Sequence, residues 1–450
     1  MRIAPERKDF PDAWYNVVPD LTFPAPNMRS PSGYRLGPHD LEPFVPDELI
    51  KQELEQKERQ IKIPKPLQEY YSDWRPTALH RAERLEKELG TPAKIFFKLE
   101  GVTSYTYEAN TAVAQAYYAR EQGVKRLVTG TGNGEWGVSL AMATNVFNLD
   151  SSVYMVRSSY EEKPHGRYVM EVLDTEVIPS PSDKTATGRQ QLEQDPNSPG
   201  SLGLALSAAF EDASHDVDTK FAWGTVMNHV LLHQTVIGLE AKRQMRRAGG
   251  RPDILISAVG GGSAFGGLIF PFYKDLLGKA RFIAVEAAEY PSLTKGKYGY
   301  DFGDSQGLAP MIKMYTLGRG YMPPKMRAGG MRYHGMSPLI SALYREKQIE
   351  ARAYTQHEAL GAAVTFARAE GVIPAPESAY AVKAVIDEAI ACRENRERKN
   401  ILCVISANSN LDIEAFHEFV DGSDTSVGEY SESASQAALS DLPSVDENDE

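Results

Sequence analysis

The sequence predicts an α/β fold of two doubly wound parallel-sheet domains with a ligand cleft between them. Three observations predict it. Short apolar runs alternate with helical patterns of about ten residues or more through most of the chain, the arrangement that builds parallel sheets covered by helices on both faces. Two of those runs end in glycine-rich turns that lead straight into helical patterns, Gly130-Thr131-Gly132-Asn133-Gly134 and Gly260-Gly261-Gly262-Ser263. Ligands of such sheets bind beyond the carboxyl ends of the strands, at turns of this kind. With 450 residues, the chain is long enough for two or three domains and a sizeable core.

Taken in order, residues 1–60 are rich in proline and charge and read as an extended arm wrapped on the body, with one helical patch near 46–61. Strand 95–99 leads to helix 110–121, strand 126–129 to helix 135–147, strand 152–156 to helix 164–173, and strand 176–179 to helix 201–213. Helix 227–247 precedes strand 253–259. Strand 281–285, helices 355–369 and 378–391, strand 400–405 and helix 411–419 complete the pattern. The strands are short runs dominated by Ile, Val, Leu and Phe, and the longer segments repeat their apolar residues at helical spacing. Residues 61–105 with 214–420 are expected to form a larger domain, and 106–213 a smaller one. Residues 421–450 are acidic and serine-rich, lack the apolar content that offsets ordering entropy, and are predicted to be a disordered tail.

Composition excludes several function classes. A formal charge of −12 argues against nucleic acid or an anionic membrane as partner. No apolar run approaches the roughly 20 residues that span a bilayer, and the N-terminal stretch has no apolar signal core. Two cysteines, Cys392 and Cys403, are too few for a disulfide framework and read as buried thiols. A cytoplasmic protein is expected.

Candidate binding residues follow from the turns. In the 260–263 turn, backbone N–H groups at a helix start can converge on an anion, with the Ser263 hydroxyl as a further donor; a plain structural turn is the alternative. Thr131, Gly132, Asn133 and Gly134 can do the same for a carboxylate or other anion. Ser406 follows strand 400–405 in a polar strand-to-helix turn that reads as a cap. Glu377 stands at a helix start, where the dipole favours an acid. His229 and His233 are spaced i, i+4 but lack an intervening Glu and a third ligand, so they read as helix-packing residues and no metal site is expected.

Residues 100–117 read Glu-Gly-Val-Thr-Ser-Tyr105-Thr-Tyr107-Glu108-Ala-Asn110-Thr-Ala-Val-Ala-Gln-Ala-Tyr. This stretch closely resembles the active-site segment of the tryptophan synthase β chain family, in its second branch, where a strand ending Asn-Glu-Gly runs through Ser-His-Lys-x-Asn-Thr-Ala into a helix. The resemblance implies that family's fold and its chemistry, tryptophan made from indole and serine on pyridoxal phosphate held by the lysine as a Schiff base. Asn110-Thr111-Ala112 fixes the register, and the lysine position holds Glu108. A carboxylate cannot form an imine. Other family positions differ as well. The glutamate heading the second turn is Gly130, the glutamine after it is Glu135, the asparagine after the phosphate turn is Ala264, and the glycine after Ser406 is Ala407. Lys98 matches a second family lysine and is not a relocated one. The resemblance runs in order through about residues 60–420, including Arg75-Pro-Thr-Ala-Leu79 and the run from Ala328-Gly-Gly to Ser337-Pro338. The chain is thus identified as a divergent member without the Schiff-base lysine.

The changes gather on cofactor contacts, which predicts replaced chemistry: an enzyme independent of pyridoxal phosphate, with no cofactor. Carboxylate acid–base catalysis would drive cyclisation, isomerisation or dehydration of a small specialised metabolite. Glu108, Glu135 and Glu377 would supply the carboxyl groups, and Tyr105 and Tyr107 hydroxyl donors and flat apolar surface. Tryptophan synthesis is not expected. The alternatives are a catalytically inactive paralogue that binds a ligand or an active partner, and a pyridoxal-phosphate-dependent β-replacement lyase. The resemblance also implies a symmetric homodimer.

Overall fold

A seven-stranded sheet runs in the order Arg2–Ile3, Leu79–Arg81, Lys94–Leu99, Asn400–Ile405, Ile254–Ala258, Arg281–Ala287, Glu350–Tyr354. Its last five strands are parallel, and the first two join antiparallel at one edge. A second sheet, all parallel, runs Glu176–Ser180, Asp150–Val156, Arg126–Thr131, Thr219–Phe221. This computed structural model describes residues 2–101, 106–162, 164–322, 324–423 and 428–445.

Alternation along the strands produces the double winding. Leu255, Phe282, Leu402 and Val404 pack on one face with Phe265 and Leu268 of helix Ser263–Leu276. Ile254, Ile256, Ile283, Ile401 and Cys403 point the other way, against Leu360 and Phe366 of helix Gln356–Glu370 and Tyr380 and Val385 of helix Pro376–Glu394. A side-chain period of two sends successive residues to opposite faces. Each fully buried aliphatic side chain contributes about 1.5–3 kcal/mol.

The structure departs from the sequence reading in instructive places. The segment expected as one helix over 227–247 is two, Asn228–Gln234 and Val236–Arg247. At the break, Thr235 Oγ1 donates to the Leu232 carbonyl (2.6 Å) and accepts the Tyr15 N–H (3.0 Å), a side-chain bond that competes with the helix ladder. The arm is built into the core, not laid on it. Trp14 is fully buried, and the Glu53 carboxylate accepts the N–H groups of Asn228 (3.1 Å) and His229 (2.9 Å) at a helix start, where orphan donors and the dipole favour an anion.

The tail expected to be disordered carries a helix, Glu432–Leu439, capped by Ser431. It buries Ala438 beside Tyr290, Leu317 and Tyr321, and Ser435 Oγ donates to the Leu317 carbonyl (3.4 Å). Gly318 permits the approach: its φ is +90°, and a Cβ there would lie 2.6 Å from the Ala438 carbonyl carbon. Polar composition concealed a helix that docks through small residues, beside the ring contact of Tyr430 with Tyr321.

Candidate functional site

Four strand ends deliver the site. Strand Arg126–Thr131 passes through Gly132-Asn133-Gly134 into helix Glu135–Phe147. Strand Ile254–Ala258 passes through the 260–262 turn into helix Ser263–Leu276. Strand Asn400–Ile405 ends at Ser406, and strand Lys94–Leu99 leads towards helix Ala109–Glu121, whose N-cap is Glu108. Between them lies a cavity of about 110 Å³. All the sequence-predicted site residues within the described range border it except Gly134. Tyr105 lies outside the described residues.

The two turns differ in what shapes them. Gly134 and Gly262 sit at helix starts with φ of +99° and +98°, a region that favours glycine. At 260 and 261 the constraint is space. A Cβ on Gly260 would meet the Gly330 carbonyl oxygen at 2.2 Å, and one on Gly261 would meet Thr225 Oγ1 at 2.2 Å. The cradle is therefore bare backbone at the start of a 14-residue helix, and Thr225 Oγ1 is buried there without a hydrogen-bond partner. That donor set suits a phosphate group. Tyr107 reaches the same corner, its hydroxyl 3.4 Å from Ser263 Oγ.

The second turn is tied to the acids. Glu377 Oε1 accepts the Gly330 N–H (2.9 Å) and Asn133 Nδ2 (3.2 Å), and Asn133 Oδ1 accepts the Glu135 N–H (3.2 Å). Thr131 Oγ1 turns back to the Gly137 N–H (3.4 Å). Ser406 shares a hydroxyl contact with Ser378 (2.9 Å), so its oxygen is already oriented.

Glu108 is the unusual member. It is partly accessible and borders the cavity, yet its Oε2 is buried with no hydrogen-bond partner. Burial, then the negative charge of Glu377, pushes its carboxyl up to about 8 from an ordinary 4.5. Burial and the charge of Glu108 also raise the Tyr107 phenol well above its usual range. Among the described lining residues there is no lysine, arginine or histidine. Lys98 does not serve: it is fully buried and donates to the Thr77 carbonyl (2.7 Å), Glu240 Oε2 (2.7 Å) and Gln244 Oε1 (3.2 Å). The cavity thus offers converging backbone donors at residues 260–263 and the Ser406 hydroxyl, while Glu108 is a carboxyl group that cannot be joined to an aldehyde.

Gly130 needs a different account from the one its sequence suggests. A Cβ there would lie 2.7 Å from the Ala205 carbonyl carbon and 2.8 Å from the Leu206 nitrogen. Helix Leu202–Ser214 packs against the position, so no side chain fits. Gly130→Ala should destabilise the fold by about 1–3 kcal/mol, the range for overpacking, and chemical denaturation against the natural chain measures it.

Sequence reasoning missed Thr225, Trp136 and Trp223, which also line the cavity. Trp136 Nε1 donates to Thr129 Oγ1 (2.8 Å), and the Trp223 indole Nε1–H has no partner among the described residues. The signal lay in Thr219–Phe221, a three-residue strand too short to stand out, with its following turn fixed by Val226 at φ +61°. His229 and His233 take up other work: His229 Nδ1 meets Glu53 (2.7 Å), and His233 meets Thr111 and Gln52 (3.0 and 2.8 Å).

Comparison with known proteins gives a consistent result. Residues 71–407 match the family model described as pyridoxal-phosphate dependent enzyme. The chain is 52% identical over 422 residues to tryptophan synthase beta chain 2 of Aquifex aeolicus, covering 92% of this chain and 97% of that protein. It is 49% identical to the tryptophan synthase beta chain of Pyrococcus horikoshii (92% and 91% covered). To tryptophan synthase beta chain 2 of Thermotoga maritima it is 48% identical (92% and 100%). Among solved structures it resembles threonine deaminase isoform 2 of Solanum lycopersicum, with TM-score 0.57 and 16% identity over 80% of this chain and 94% of that one. It also resembles a fungal L-serine ammonia-lyase of Rhizomucor miehei, with TM-score 0.58 and 13% identity over 77% and 97%. These two likenesses concern the fold alone.

The matches overturn part of the sequence reading. The expected enzyme independent of pyridoxal phosphate, performing cyclisation, isomerisation or dehydration with no cofactor, is corrected by a pyridoxal-phosphate-dependent family match over three-quarters of the chain and by near-full-length tryptophan synthase relatives. So is the expectation that tryptophan synthesis is absent. The changed positions are few against a framework shared with those relatives along nearly the whole chain.

Proposed function

We propose, on the premise that this chain belongs to the tryptophan synthase β chain family of pyridoxal-phosphate-dependent enzymes, that it is a pyridoxal-phosphate-dependent enzyme of tryptophan synthase β type. One observation carries the reading: the bare-backbone cradle, its unpartnered Thr225 hydroxyl and Ser406 border one cavity in a chain about half identical to those synthases over nine-tenths of its length. Bound there, the cofactor would draw electrons away from the α-carbon of an amino acid. Residues 260–263 and Thr225 would hold its phosphate. Ser406, oriented by Ser378, would face its ring nitrogen. Residues 131–134 would take the amino-acid carboxylate, and Trp136 and Trp223 offer flat surface for an aromatic acceptor such as indole.

Glu108 stands where the family carries its lysine, so this chain would hold the cofactor without a covalent bond at that position. Its carboxyl keeps the lysine's other capacity, moving a proton at Oε2 within the cavity. Glu377 anchors Gly330 and with it a wall of the site.

The assay is tryptophan formation from indole and serine by protein saturated with pyridoxal phosphate. Product that depends on the added cofactor supports the reading, and a cofactor-loaded protein that makes none overturns it. The missing link has its own check. After borohydride reduction with pyridoxal phosphate, the natural chain should keep its mass, and Glu108→Lys should gain one pyridoxyl group. A pyridoxyl adduct on the natural chain would refute the assignment.

A homodimer is the assembly expected of this family, and light scattering should give about twice the 49.7 kDa chain mass. A mass that stays at one chain over a broad concentration range would contradict it. No helix among the described residues is long and apolar enough to cross a membrane. Cys392 and Cys403 are buried and unlinked, which accords with a cytoplasmic location.

A further inference from the structure

The cavity's charge is one-sided. Glu108, Glu135 and Glu377 border it, and no cationic side chain does so among the described residues. Buried carboxyl groups ionise at a cost unless a cation or several hydrogen bonds compensate. Here part of that compensation is absent: Glu108 Oε2 is buried without a partner. Trp223, only 5% exposed and bordering the same space, has an indole N–H that is also unpartnered. Buried polar atoms are as a rule hydrogen-bonded, and these two face a space that a ligand can enter. The missing element for Glu108 is a cationic donor.

We propose that the cavity binds the amine form of the cofactor, a pyridoxamine-phosphate-type ligand, more tightly than its uncharged counterparts, with the ligand's ammonium group paired to Glu108. This rests on residues 260–263 serving as the phosphate cradle. An ammonium beside Glu108 supplies the donor that Oε2 lacks and favours the ionised carboxyl, which burial and the Glu377 charge hold protonated at neutral pH in the bare cavity. An aldehyde or hydroxymethyl group at the same place brings no charge. A lysine at position 108 would invert this preference, because two cations would then face each other.

Titration calorimetry on the full chain tests it with three probes: pyridoxamine phosphate, pyridoxine phosphate and inorganic phosphate. Pyridoxine phosphate has the same ring and phosphate with a neutral hydroxymethyl in place of the aminomethyl. Pyridoxamine phosphate should bind about tenfold to a hundredfold more tightly than pyridoxine phosphate, the worth of one charge-assisted hydrogen bond. Glu108→Gln should shrink that ratio to within about threefold and leave pyridoxine phosphate binding little changed. Equal affinities in the natural chain, which needs no variant to fold, would overturn the proposal. So would a preference that survives unaltered in Glu108→Gln. If neither pyridoxine phosphate nor inorganic phosphate binds, the cradle assignment beneath the proposal fails instead, and the two failures are told apart.

Discussion

Glu108→Gln should lower the rate of the pyridoxal-phosphate-dependent reaction by on the order of 10²–10⁴, the usual loss when one positioned acid or base is removed. The carboxyl borders the cavity, its Oε2 has no partner among the described residues, and burial followed by the Glu377 charge raises it to about 8. A group in that range holds its proton at neutral pH and still gives it up to a modest base. The amide keeps the shape and has no such proton. Steady-state rates with saturating cofactor, beside circular dichroism showing an intact fold, make the measurement. Full activity in the variant would remove Glu108 from any proton-moving role.

The same residue has a second signature, in stability. Its folded-state value lies above its ordinary 4.5, so the folded chain binds that proton more tightly than the unfolded chain does. The contribution is complete below about 4.5 and is lost as pH rises through about 8. Glu286, buried and raised to about 7 despite bonds from Thr294 and Leu293, acts in the same direction. Glu108→Gln removes only the first of these. Its melting temperature should therefore gain on the natural chain between pH 5 and pH 8. A variant that instead loses ground over that interval would mean Glu108 is charged and compensated in the folded state.

Much of the architecture was legible because buried parallel strands are written as uninterrupted apolar runs. Ile254-Leu-Ile-Ser-Ala258 and Asn400-Ile-Leu-Cys-Val-Ile405 need no tertiary context. Glu350–Tyr354 does. It reads Glu-Ala-Arg-Ala-Tyr, an edge strand whose charges pair across to Arg281 and Glu388, and the sequence alone gives no reason to extend it. The turns were legible at the site for the reason that glycine is, but Thr225 and the two tryptophans were not. They arrive by packing, from a short strand and from inside a helix. Gly130 shows the limit most clearly. The sequence displays a missing side chain, and only the structure shows that the backbone of Ala205 and Leu206 lies where one would go. Function was misread because one position reports one contact, whereas the match to the synthases reports the whole framework.

Glu240→Ala should cost about 3–5 kcal/mol and leave little folded protein near physiological temperature. Glu240 is fully buried and neutralises two cations at once, Arg75 through Oε1 (2.8 Å) and Lys98 through Oε2 (2.7 Å), while also accepting the Thr77 N–H (3.0 Å). Arg75 keeps Glu100 (2.8 Å) and Asn110 (2.8 Å). Among the described residues Lys98 has no second carboxylate in hydrogen-bond contact and bonds otherwise to the Thr77 carbonyl and Gln244. Burial pulls its amine below the usual range, and Glu240, followed by the charge of Glu100, opposes that pull. Removing Glu240 strands an ammonium in the core, the situation that makes half-deleted buried pairs so costly. The double variant Glu240→Ala with Lys98→Met should recover a large part of the loss, because the orphaned charge goes with its partner. Urea denaturation of the two variants and the natural chain decides it. If the single variant costs less than about 1 kcal/mol, water or a neighbour reaches Lys98, and the network that seats the strand leading to Glu108 is looser than its distances indicate.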